Sequence, residues 1–141
     1  MLVLSMVACN TNKMTTIEAS LAYPIASALG EGAFWNYKTQ ELLWIDIEQQ
    51  KLHIYNPSAN TNKTIQMPSK IGTVVPSEKS NTAIVALADG IYEVDFISHQ
   101  LTQLSAIEKT TTENRFNDGK CDPNGNLWVG SMHLKQDKPN A

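Results

Sequence analysis

Three short apolar runs recur in this chain at a nearly fixed interval. They begin at Leu42, Ala83 and Leu127, which are 41 and 44 residues apart. Each of the first two leads into an alternating stretch, Lys51-Leu52-His53-Ile54-Tyr55 and Ile91-Tyr92-Glu93-Val94-Asp95. Each alternating stretch is followed by a further short apolar segment, at Thr64-Ile65-Gln66-Met67 and Leu101 to Leu104. Continuous apolar runs of this length mark strands buried on both faces, and alternation marks half-buried strands. Asp89-Gly90 between two such runs is a strong local hairpin signal. No window carries a sustained helical period with caps, so the chain is all-β. A sandwich or jelly roll supplies turn signals without a long repeat. A period in the low forties built of four short strands is that of a propeller blade. Packing between sheets is expected for Leu43, Trp44, Ile45, Ile84, Val85, Leu87, Trp128 and Val129.

The 141 residues hold about three such blades, whereas closed propellers need roughly four to eight. The expectation is therefore a partial, about three-bladed arc. It is either the N-terminal part of a longer protein or a ring closed by a second copy, with open blade faces prone to self-association. The hydrophobic content of 42% suits one folded domain, over residues 15–141. A net charge of −3 and the lack of any Lys/Arg cluster argue against nucleic acid as a partner. No stretch is long enough to span a bilayer as a helix. Cys9 and Cys121 make neither a metal spacing nor a disulfide framework.

Residues 1–14 read as a leader. The apolar run 2–8 ends in small residues before Cys9, in the manner of a bacterial lipoprotein attachment site, but no Lys or Arg precedes it. Met14 is an alternative start. A cytoplasmic protein is expected, with a lipidated cell-envelope protein as the alternative.

The segment 114–132, NRFNDGKCDPNGNLWVGSM, carries the chemistry. Asp118-Gly119 and Asp122-Pro123-Asn124-Gly125 read as turns leading into the run at Leu127. Turn chemistry does not require Arg115, Asn117 and Lys120, so a ligand-facing loop is expected here. His53, His99 and His133 form no ligand spacing; His53 and His99 read as surface residues, while His133 is within range of a pocket.

The same segment, together with Leu29-Gly30-Glu31-Gly32 and Ala33-Phe34-Trp35, resembles the gluconolactonase/regucalcin-like family. The resemblance runs from Thr15 to the C-terminus and covers the N-terminal half of that family's length. It implies a six-bladed propeller that hydrolyses a small sugar lactone with one divalent metal ion, Ca²⁺, Zn²⁺ and Mn²⁺ being equally compatible. By the same resemblance Glu31 is a metal ligand, and Arg115 and Asn117 contact the substrate. Asp118 and Lys120 support the segment. The remaining ligands and the general base are expected beyond Ala141, so no catalytic residue falls within the chain, which is expected to be inactive alone. The family's animal members place an acidic contact shortly after the G-[ST]-M triplet, where this chain has His133-Leu134-Lys135. A non-catalytic propeller binding calcium or carbohydrate is the alternative, because the fold does not decide function.

Overall fold

The computed structural model describes residues 16–137 and Pro139. The leader assigned to 1–14, with Cys9, lies outside the described residues. Ten strands and no helix are present among them: β1 (Gly30–Asn36), β2 (Glu41–Asp46), β3 (Lys51–Asn56), β4 (Thr61–Gln66), β5 (Ile71–Pro76), β6 (Thr82–Leu87), β7 (Gly90–Asp95), β8 (Leu101–Ser105), β9 (Asn114–Cys121) and β10 (Leu127–His133). They form two four-stranded antiparallel sheets in chain order, β1-β2-β3-β4 and β5-β6-β7-β8, followed by the two-stranded sheet β9-β10. The architecture is thus an arc of two whole propeller blades and the start of a third.

Local chemistry sets the turns. Asn36, Asp46 and Asn56 close successive strands, and the side-chain oxygen of each accepts a turn N–H, from Lys38 (3.1 Å), Gln49 (3.0 Å) and Ala59 (3.0 Å). Asn and Asp favour turns because their short side chains bond the backbone just ahead. Each of these four-residue turns ends on a left-handed residue, Gln40, Gln50 or Asn60, with φ of 56°, 56° and 51°.

The pairing Leu43↔Ile54 and Leu52↔Ile65 puts apolar residues of β2, β3 and β4 on one face. There Leu43, Ile45, Leu52, Ile54 and Ile65 pack against Ile71, Val74, Val85 and Leu87 of the second sheet. Burying each such side chain stabilises the fold by about 1.5–3 kcal/mol. Of the expected core, Leu43, Ile45, Val85 and Leu87 are buried, while Trp44, Ile84 and Val129 are half-buried. Trp128 is 70% exposed, because no described sheet covers its face of β9-β10.

The inner strands β1, β5 and β9 lie side by side and run in one direction. Gly72 of β5 sits against Phe116 and Asn117 of β9, and Thr73 against Gly119. The last residues of β1 likewise share a small cavity with those of β5. Glu31, Gly72 and Arg115 are each the second residue of an inner strand, and the shared direction puts them at the same end of the arc.

Candidate functional site

Glu31 enters on a distorted strand. The β1-β2 register pairs Glu31 with Ile45 and then Phe34 with Leu43, so one residue is accommodated as a bulge. Gly32 makes this possible: its φ is 63°, and a Cβ there would sit 3.3 Å from Ile45 Cγ1. The lead-in is fixed by Asp46, whose carboxylate accepts N–H bonds from Ala28 (2.7 Å), Leu29 (3.2 Å) and Gln49 (3.0 Å). Burial alone would raise the Asp46 carboxyl, but these donors outweigh it and hold the group below its ordinary range. Glu31 is exposed and lines a cavity of about 480 Å³ under Leu21, Tyr23 and Ile25, with Trp44 and Tyr55 behind it. Tyr55 anchors that cover by donating its hydroxyl to Ala22 O and packing against Tyr23.

Arg115 and Asn117 come together on β9. The half-buried Arg115 donates from Nη1 to Phe116 O (2.9 Å) and to Asn117 Oδ1 (3.2 Å). Asn117 thus accepts through Oδ1, and its Nδ2 has no partner among the described residues. Arg115 has no carboxylate partner among the described residues. It lines a second cavity, of about 490 Å³, with Gln50, Ser69, Lys70, Thr112 and Asn114. Glu31 and Arg115 therefore share an end of the arc but line separate cavities. Asp118 and Lys120 form an exposed ion pair at 3.2 Å, a contact worth little on its own.

Two expectations for this region are corrected. Asp118-Gly119 is not a turn and 114–121 is not a loop, because both belong to β9. Glycine is needed at 119 for close approach: a Cβ would stand 2.8 Å from Trp128 O and 3.1 Å from Thr73 Cγ2. Thr73 Oγ1 clamps the same point by donating to Gly119 O at 3.1 Å. Nor is His53 a surface residue. It is buried at 2% exposure, stacked on Trp44 with ring centroids 4.7 Å apart, and its Nδ1 lies 3.1 Å from both Thr64 Oγ1 and Asn62 Nδ2. Burial lowers its pKa first, the Lys51 charge adds to that, and Asp46 opposes both. His99 is exposed, as expected. His133 is buried beside Asp137 (2.9 Å) and Glu113 (3.6 Å) and does not line the Arg115 cavity.

Among the described residues no three His, Cys, Asp or Glu side chains gather as metal ligands. A hard cation such as Ca²⁺ takes six to eight oxygens, and the carboxylate of Glu31 does not by itself fit one.

Residues 29–141 match the family described as the SMP-30/Gluconolactonase/LRE-like region. A 6-deoxy-6-sulfogluconolactonase of Pseudomonas putida is 38% identical over 114 residues, covering 79% of this chain and 38% of that protein. A regucalcin of Xenopus laevis is 29% identical over 119 residues, covering 84% and 40%. The solved structure of a calcium-binding protein, regucalcin, from Agrobacterium tumefaciens superposes with a TM-score of 0.73 at 26% identity, covering 77% of this chain and 37% of that one. The chain spans about two fifths of the length of these curated relatives.

Proposed function

Because the chain belongs to the SMP-30/gluconolactonase/LRE-like family, we propose that it forms the lactone-binding part of a sugar-lactone hydrolase. The observation that carries this is the hydrogen-bonded pair of Arg115 and Asn117 at the end of the arc that also holds Glu31. A planar guanidinium suits an oxygen-rich ring, since its fork orients two oxygens at once. Asn117 offers its Nδ2 hydrogens beside it. In the proposed reaction water adds to the lactone carbonyl, the ring C–O bond breaks, and an aldonate leaves. Arg115 and Asn117 hold the ring so that the carbonyl is presented in one orientation. Glu31 is proposed as one donor to a divalent cation, in a set that residues other than those described must complete.

The base that takes the proton of water is likewise proposed to lie outside the described residues. The 141-residue chain alone is therefore proposed to bind sugar oxygens without turning lactone over. Binding that is equal in ground and transition states does not speed a reaction. The test is lactone hydrolysis with added Ca²⁺, Zn²⁺ or Mn²⁺, by this chain and by one extended to the length of its relatives. Activity is expected only in the extended chain, and it is lost on Glu31→Gln. Arg115→Ala lowers gluconate affinity in both. Metal-dependent turnover by the short chain, or unchanged gluconate binding in Arg115→Ala, refutes the assignment.

A further inference from the structure

The lining of the Arg115 cavity is cationic, with one of its two charges paired from outside it. Its lining includes Arg115 and Lys70 and, among the described residues, no carboxylate. Glu48 lies outside the lining but pairs with one of its cations, Lys70 Nζ, at 2.7 Å. Glu108 accepts from Ser131 Oγ (2.8 Å) and Asn114 Nδ2 (3.2 Å). Arg115 itself is satisfied only by neutral oxygens, those of Phe116 and Asn117. A half-buried guanidinium without a counter-ion among the described residues, opening on a cavity beside an ammonium and the Ser69 and Thr112 hydroxyls, is chemistry for a ligand oxyanion. The volume of about 490 Å³ admits a six-carbon sugar acid with a further substituent.

We infer that this cavity takes a sugar lactone, or its aldonate product, bearing a second anionic group, with Lys70 as the residue that selects for it. Phosphate, sulfonate and carboxylate share the required chemistry. The inference rests on the proposal that Arg115 holds the sugar, and it adds a specificity that Arg115 alone does not confer.

The experiment is calorimetric titration of the 141-residue chain at low ionic strength with four aldonates. Gluconate carries no second anion, whereas 6-phosphogluconate, 6-deoxy-6-sulfogluconate and glucarate each carry one. At least one doubly anionic probe is expected to bind about tenfold more tightly than gluconate, and the preference is expected to shrink with added salt. Lys70→Gln removes that preference, lowering the affinity of the doubly anionic probe more than that of gluconate. Glu48→Gln keeps every lining residue, frees Lys70 from its partner and widens the preference. The probe that gains most identifies the substituent. Equal affinity for all four probes, or a preference that survives Lys70→Gln, overturns the inference and leaves the Arg115 assignment intact. Failure of every aldonate to bind in an Arg115-dependent way overturns both.

Discussion

Replacing Gly72 by alanine tests whether the inner strands position the site. An added Cβ would lie 2.3 Å from Phe116 O, 2.4 Å from Phe116 C and 2.8 Å from Asn117 N, all backbone atoms that no rotamer change can move aside. Ordinary contact begins near 3.4 Å, so β9 must retreat from β5 by roughly 1 Å. Overpacking of this kind costs about 1–3 kcal/mol. The same retreat stretches the Thr73 to Gly119 hydrogen bond, 3.1 Å in the native chain, at a cost of about 1 kcal/mol. The sum is a destabilisation of roughly 2–4 kcal/mol, readable by urea denaturation as a lower midpoint at unchanged slope. Because Phe116 O and Asn117 Oδ1 are the acceptors of Arg115, gluconate affinity falls with it. The matching change at Gly125, where a Cβ meets nothing within 4 Å but φ is 86°, leaves gluconate affinity unaltered and costs only about 1 kcal/mol of local backbone strain. A Gly72→Ala chain within about 0.5 kcal/mol of the native stability would show that β5 and β9 are not locked together as described.

Asp46→Ala orphans three backbone donors and is expected to cost about 2–4 kcal/mol in chemical denaturation. The native Asp46 carboxyl is held below its unfolded value, so its contribution is complete above about pH 4 and is lost as pH falls through the lower folded value; Asp46→Asn should flatten that part of the pH–stability curve. Asp122, bonded by Asn126 through side chain and backbone, then by the Trp128 indole and the Asn124 N–H, is lowered to about 2. The Trp128 indole proton resonance is therefore expected to titrate near pH 2, and a midpoint near 4 would contradict the bonded turn. Trp128→Ser removes the largest exposed apolar side chain of β9-β10 and is expected to lower self-association, measured by light scattering across a concentration series.

The blade repeat was legible because its signals are local. The runs at Leu42 and Ala83 are β2 and β6, the stretches after them are β3 and β7, and Asp89-Gly90 lies at the hairpin joining β6 to β7. What escaped depends on partners far away in sequence. Ile71-Gly72-Thr73-Val74-Val75-Pro76 shows a glycine and a proline, both usually breakers, yet it is the inner strand β5, and its glycine is explained only by the β9 backbone beside it. Asp118-Gly119 misled for the same reason, a tertiary approach imitating turn chemistry. His53 looked like the wet side of an alternating strand, and no described sheet covers that face, but its own neighbours Trp44, Asn62 and Thr64 enclose it. A finer signal was available: Asn36, Asp46 and Asn56 recur every ten residues and mark three successive turns. Arg115 and Asn117 stood out because turn chemistry alone does not ask for them, whereas the charge of the cavity lining needed Lys70, brought in from a different blade.

The turn lengths have a consequence for how this chain can change by insertion and deletion. The three turns of the first blade hold four residues each and the Ala88-Asp89 turn holds two, all even numbers. Across an even turn, odd-numbered Leu43 and Ile45 meet even-numbered Ile54 and Leu52, and all four face the core. Losing one residue from 47–50 slips the pairing by one, which would turn Lys51, His53 and Tyr55 toward the core in place of Leu52 and Ile54. Losing two restores the parity. Length variants that fold should therefore differ from this chain in these turns by steps of two residues, unless a bulge absorbs the odd one, as it does between Glu31 and Phe34.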